Sequence, residues 1–264
     1  MIPKVRRPAS RRMITLEVLA NTAPSPAFRT VTLGGSSLGD LEVAGADQAV
    51  RLFFPRAGQN GLRMPTLDNE GWMAEVLMLP KSRRPWVRNY TIRRARPGEI
   101  DIEFALHDGD APAAEWARRA RPGDPAGIFD LGVSYMPPPG VSWQLLAGDE
   151  SAVPAILAIL EHAPADLRAE VFLEVPSAAD VREVEAPPGV RVHWLPRARP
   201  GRPGALALST ILAADLPGER AYAWVAGESA LATGVRRHLV RDRGWAKSDI
   251  AFLGYWRHGR AAPG

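Results

Sequence analysis

The chain has 264 residues, 46% hydrophobic and 23% charged, the balance of an ordinary globular protein with room for one large domain or two medium ones. It contains no cysteine, which excludes disulfides, zinc–thiolate sites and cysteine-ligated iron–sulfur clusters, fits a reducing cytosol, and leaves any redox chemistry to a bound cofactor. The net charge of +4 gathers at the start, where Lys4, Arg6, Arg7, Arg11 and Arg12 precede the first acid; the near-neutral remainder lacks the spread basic face of a nucleic-acid binder.

Residues 1–12 read as a solvated basic tail. Arg11-Arg12 before an apolar run has the outline of a twin-arginine export signal, but Glu17 interrupts the run, Asn21 ends it and no cleavage site follows. No apolar run is long enough to cross a bilayer. The expectation is a soluble, cytoplasmic protein with neither nucleic acid nor membrane as partner.

Residues 13–20, 27–33, 48–54, 87–94 and 99–106 are short, rich in Val, Ile, Thr and Phe, and punctuated by Gly, Pro or Asn, which predicts strands. The last two form a hairpin across residues 95–98, where Pro97 and Gly98 supply turn geometry. With the apolar run 126–129 as a closing strand, an antiparallel six-stranded barrel is predicted over residues 13–136. Residues 56–70 read as a surface loop, residues 72–79 fit helix or strand, and residues 81–84 add positive charge.

Strand 87–94 carries the most suggestive chemistry. Alternation places Arg88, Tyr90 and Ile92 on one face and Asn89, Thr91 and Arg93 on the other. A guanidinium fork suits phosphate, a phenol offers a flat apolar face with a hydroxyl, and a threonine is a donor small enough to sit beside a ring. The same residues also describe an exposed edge strand with a half-buried tyrosine. Beyond it, residues 107–117 read as a loop feeding a helix that starts at Pro112 and runs to about residue 120, a position where proline is at home. The backbone of Ala111, Ala113 and Ala114 would then offer unpaired N–H groups at a positive dipole end, suited to a pyrophosphate. Trp116 reads as core.

Residues 137–140 form a stiff Pro-rich linker. From 141 to 264 the apolar runs 143–147, 169–175, 190–195, 221–226 and 250–253 alternate with helical patterns, among them 152–160 and the face of Leu231, Val235 and Leu239 in a helix closed by Gly244. That alternation predicts a parallel-sheet, nucleotide-binding α/β domain. In the strand order 3-2-1-4-5 the first and fourth strands are neighbours where the order reverses, and ligands bind at their carboxyl ends. Gly148-Asp149-Glu150-Ser151 and Gly227-Glu228-Ser229-Ala230 follow those two strands. Both turns suit a ligand crevice and both suit plain helix N-capping. No Gly-x-Gly-x-x-Gly is present, so a looser nicotinamide site is expected. Arg197, after the third strand, is a candidate for the phosphate that separates NADPH from NADH, and equally a solvated arginine.

The pattern Arg88-x-Tyr90-Thr91-x-Arg93 resembles the flavin-binding strand of ferredoxin-reductase-like flavoproteins, in the version found in the siderophore-interacting protein family of FAD-dependent ferric-siderophore reductases. Further matches follow in order: His107 ahead of the loop, the stretch 148–155, Ala226-Gly227-Glu228, and Gly254-Tyr255-Trp256-Arg257 near the end. Where the family has Gly-Pro-Ala-Ser, this chain has Ala111-Pro112-Ala113-Ala114, which removes a hydroxyl at Ala114 and leaves the backbone donors. The resemblance implies FAD as cofactor, NADPH or NADH as donor, and electrons passed to the Fe(III) of a ferric siderophore. It implies Arg88 on pyrophosphate, Tyr90 against the flavin and Thr91 near its N5 as the catalytic neighbours, and Arg93 and His107 beside the cofactor. It also implies a flavin-bordering role for Tyr255 and Trp256; the cations Lys247, Arg257 and Arg260 are candidates for drawing in an anionic iron chelate. Alternatives are a flavin reductase serving an oxygenase or a ferredoxin-type partner, and a non-catalytic nucleotide-binding regulator.

Overall fold

The computed structural model describes residues 5–106, 111–197, 201–217 and 221–259. They form two compact units that divide between Val133 and Ser134, just ahead of the proline run. No helix among the described residues is long and apolar enough to cross a membrane.

The first unit is a closed barrel. Its strands are β1 (Met13–Ser25), β2 (Phe28–Gly34) and β3 (Ala49–Phe54), then, after helix α1 (Trp72–Met78), β4 (Trp86–Arg96) and β5 (Glu99–Ala105), and, after helix α2 (Pro112–Arg119), β6 (Pro125–Gly132). They close in the order β1-β2-β5-β4-β3-β6, the expected six-stranded barrel. Alternation does the sorting: Ile14, Leu16 and Val18, Val50, Leu52 and Phe54, and Ile100, Ile102 and Phe104 all turn into one buried cluster. The ambiguous segment 72–79 is helical because Trp72 and Val76, one turn apart, bury together against Phe53 and Phe129 on the barrel's outer side. The β4–β5 hairpin closes at Arg96 opposite Glu99, with Gly98 at φ +81°, and Arg96 braces it through ion pairs to Glu99 and Asp101.

The second unit holds β7 (Trp143–Gly148), α3 (Val153–Glu161), β8 (Ala169–Val175), β9 (Val190–Pro196), α4 (Ala205–Ala213), β10 (Ala221–Glu228), α5 (Ser229–Arg241) and β11 (Ile250–Trp256). The sheet order β9-β8-β7-β10-β11 is the predicted doubly wound one, and every pairing is parallel. β7 and β10 are buried along their whole length, as central strands covered on both faces must be. They are hydrogen-bonded neighbours, so their carboxyl ends form the reversal point.

Candidate functional site

Strand β4 pairs with β3 so that Arg88 faces Leu52, Tyr90 faces Val50 and Trp86 faces Phe54. Residues directly opposite in an antiparallel pair share a face, so Trp86, Arg88 and Tyr90 lie on the side that lines the barrel core. Asn89 and Thr91, opposite Arg51 and Ala49, lie on the other. A register shift between Ile92 and Arg94 breaks the alternation there. Thr91 and Arg93 are both buried, so this is no solvated edge strand.

Tyr90 packs on Phe104 with ring centroids 4.4 Å apart. Phe104 lies 5.7 Å from Trp116 of α2, and Trp116 lies 5.2 Å from Phe54. This aromatic run packs the middle of α2 against the barrel residues that the key strand also touches. Asn21 secures the C-terminal end of the helix by donating to the carbonyls of Ala117 and Ala120, 2.7 and 2.9 Å away. Trp116 is core, as expected. Burial pushes the Tyr90 phenol well above its ordinary pKa, with Arg88 pulling the other way, so it holds its proton. Burial lowers the pKa of Arg88, opposed by Tyr90. Arg88 donates to the Val87 carbonyl and sits with Cζ 5.1 Å from the Trp86 ring centroid.

Helix α2 begins at the expected proline, with Ala111 as N-cap and, among the described residues, no side chain capping it. Its first intrahelical bond runs from the Glu115 amide to the Ala111 carbonyl, 3.0 Å. The amides of Ala113 and Ala114 therefore stand outside the helical ladder, donors at a positive dipole end. His107 lies outside the described residues, as does Arg260.

At the reversal point of the second unit, Gly148 ends β7 and Gly227 and Glu228 end β10. Asp149, fully buried, binds the two turns together. Its Oδ1 accepts from the amide and hydroxyl of Ser151, and its Oδ2 accepts from the Glu228 amide at 2.6 Å and the Trp256 indole N–H at 3.1 Å. Burial and then the charge of Glu150 push its pKa up to about 7, against the pull of those donors. Glu228 caps α5 through the Ala230 amide and also accepts from the His258 amide and Arg202. Burial acts to raise the Glu228 pKa, and those bonds outweigh it to leave a net lowering. Ser229 donates to the Trp256 carbonyl at 2.8 Å. Glu228 therefore caps its helix while Asp149 ties the two turns together, and both also hold the C-terminal strand.

Arg197 is held by two carboxylates of the second unit. Its fork takes Glu150 at 2.9 and 3.0 Å and also reaches Glu174 at 2.9 Å. Desolvation works to lower its pKa, but the two carboxylates win and raise it. Glu174 in turn accepts from the amides of Gly204 and Ala207 at the head of α4. Of the remaining candidates, Tyr255 and Arg257 are exposed at the carboxyl end of β11 and Trp256 is half-buried beside them. Lys247 is exposed before its amino end. Seven residues of strand, roughly 20 Å of extended chain, separate Lys247 from Arg257, so the structure does not gather them.

Sequence reasoning missed Trp86, Arg56 and Glu174. Trp86 was legible as two residues before Arg88, hence on its face. Glu174 was one of two acids in an otherwise apolar strand, a mark of a buried polar contact. Arg56 carried no signal, since it stands in a loop without a period.

Residues 17–135 match the family model described as the siderophore-interacting FAD-binding domain, and residues 141–259 the one described as siderophore-interacting protein. The ferric vibriobactin reductase ViuB of Vibrio cholerae is 30% identical over 234 residues, which is 87% of this chain and 84% of that protein. An NADPH-dependent ferric-chelate reductase of Escherichia coli is 27% identical over 252 residues, 93% of each. Among solved structures, that of a siderophore utilization protein from T. fusca superposes with a TM-score of 0.83 at 29% identity, covering 98% of both chains.

Proposed function

The chain belongs to the siderophore-interacting protein family, and on that basis we propose that it is a flavin-dependent reductase that takes electrons from NADPH and delivers them to the Fe(III) of a siderophore. The observation that carries the reading is the packing of β4 and α2 on one another through Phe104 and Trp116, with no side chain among the described residues capping the head of that helix. The donor set there fits FAD. A guanidinium and two helix-head amides outside the helical ladder suit the pyrophosphate, and a protonated phenol with an apolar face suits the ring system. When bound, FAD supplies the conversion between paired electrons from a nicotinamide and the single electrons that Fe(III) accepts.

The chain's own residues bind and orient. Arg88 and the amides of Ala113 and Ala114 hold the pyrophosphate; this needs no hydroxyl at position 114. Tyr90, backed by Phe104, offers its ring to the flavin and cannot become a phenolate at physiological pH. Thr91 supplies a hydroxyl, and buried Arg93 stiffens the strand beneath it. In the second unit the nicotinamide nucleotide lies across the carboxyl ends of β7 and β10, where Asp149 and Glu228 hold the two turns in place. Arg197 fixes Glu150 rather than touching the donor's phosphate. Exposed Arg257 attracts an anionic chelate. NADPH as donor is supported by the ferric-chelate reductase relative, whose description names it.

The test is a spectrum followed by an anaerobic assay. Purified protein, or protein reconstituted with FAD, should be yellow and should reduce ferric siderophores at the expense of NADPH, read by a ferrous-iron trap. Failure to take up FAD at micromolar concentrations removes the reading. Rapid NADPH oxidation with free flavin or a ferredoxin, and none with any ferric chelate, would replace the acceptor.

A further inference from the structure

We infer that Arg56 is a second guanidinium gripping the FAD pyrophosphate, held on the Trp86 indole beside Arg88. The inference rests on the flavin reading above. Arg56 stands two residues past the end of β3, with its Cζ 3.7 Å from the Trp86 ring centroid. Arg88 approaches the same ring at 5.1 Å. Two cations thus share one indole, which Trp86 can offer because it stands opposite Phe54 on the face that Arg88 also occupies.

The loop is built to hold Arg56 there. Its Nε donates to the Arg84 carbonyl at 2.9 Å, and its amide donates to Gln59 Oε1 at 2.9 Å. Gln59 Nε2 then ties back to the carbonyls of Ser82 and Arg84, 2.8 and 3.1 Å away. Arg84 itself is turned aside, onto the carbonyls of Leu77 and Leu79. Among the described residues, Nη1 and Nη2 of Arg56 have no hydrogen-bond acceptor.

The electrostatics are unfavourable as they stand. Burial lowers the pKa of Arg56, and the charges of Arg88 and Arg84 lower it further; among the described residues no carboxylate acts in the other direction. Bringing like charges together and partly desolvating them is costly unless an anion completes the cluster. A stacked guanidinium presents its N–H edge outward, the geometry that pairs with phosphate oxygens. A pyrophosphate brings two adjacent phosphoryl groups. Arg88 with the head of α2 answers part of that charge, and Arg56 answers the rest.

The test uses flavin-free full-length protein titrated with FAD and followed by quenching of flavin fluorescence. Arg56→Gln should raise the FAD dissociation constant about tenfold or more, the loss of a charge-assisted hydrogen bond. The flavin-free variant should melt within about 2 °C of the parent, because relief of repulsion offsets the lost contact with Trp86. Should the glutamine variant melt lower, Arg56→Lys serves instead; it keeps the charge without the fork and should still lose roughly threefold or more. Parent-like FAD affinity in Arg56→Gln, with Arg88→Ala impaired, overturns the inference and leaves the flavin reading standing. A parent protein that does not bind FAD overturns both.

Discussion

Gly227 is the position where one added methyl group tests the architecture of the reversal point. Its φ is +123°, and a Cβ built there would lie 2.7 Å from Cγ and Oδ1 of Asp149 and 2.8 Å from Oδ2. The carboxylate cannot move aside freely, because it holds the Ser151 amide and hydroxyl, the Glu228 amide and the Trp256 indole. Backbone strain at such a φ costs about 1–3 kcal/mol, and each hydrogen bond to a charged group given up costs about 1.5–3 kcal/mol. Gly227→Ala should therefore destabilise the second unit by about 3 kcal/mol or more. In an Asp149→Ala background the collision is gone and only the strain should remain. The two substitutions should then couple by about 2 kcal/mol in a double-mutant cycle. Urea unfolding followed by tryptophan fluorescence and circular dichroism gives all the required free energies. A Gly227→Ala protein within about 1 kcal/mol of the parent, or additivity within about 0.5 kcal/mol, refutes the argument.

Arg88→Ala should raise the FAD dissociation constant about 10- to 100-fold by removing a charge-assisted contact; equilibrium dialysis that finds the variant fully flavin-loaded contradicts the assignment. The raised Asp149 pKa predicts a pH trend. A carboxyl that titrates near 7 when folded and near 4 when unfolded binds more protons in the folded state across that window. Stability should thus fall as pH rises from about 4 to 7, by up to about 1.4 kcal/mol per unit, and Asp149→Asn should flatten that slope. Arg197→Ala leaves Glu150 and Glu174 buried without their partner, which should cost about 3–5 kcal/mol, while the preference for NADPH over NADH stays within about twofold. A large loss of that preference would return Arg197 to the donor site. Arg257→Ala should raise the KM for an anionic ferric chelate several-fold, as the loss of one steering charge does, and Lys247→Ala should leave it unchanged; the opposite ranking would place the substrate elsewhere.

The framework was legible because both layers obey simple periods. Period-two alternation sends Val50, Leu52 and Phe54 into the barrel, and continuous apolar runs mark strands buried on both faces. Pro112 announced the start of α2 from proline's fixed φ alone. The segment 72–79 was undecided because its pattern has too few turns to show a period; the choice came from Phe53 and Phe129, which are distant in sequence and present an apolar surface to Trp72 and Val76.

The candidate site was legible where side-chain chemistry and strand position coincide, and misleading where one chemistry serves two ends. Asp149, Glu150 and Glu228 have the residue type and the place expected of ligand-contacting acids. The same carboxylates are also good acceptors for amides at the start of a helix, and the structure uses Glu228 for its own helix and Asp149 for the neighbouring turn. Arg197 follows the same rule, since a fork that fits phosphate also fits carboxylate. What decides between the uses is whether an acid stands within reach, and only the folded chain brings Glu150 and Glu174 to Arg197. Arg56 shows the converse. Its neighbours within reach include Arg84, Arg88 and an indole, and among the described residues no acid acts on it, which is the ground for proposing that an outside anion answers its charge. An arginine's partner list in the fold thus separates those that build the protein from those that await an anion, a distinction invisible in its spacing along the sequence.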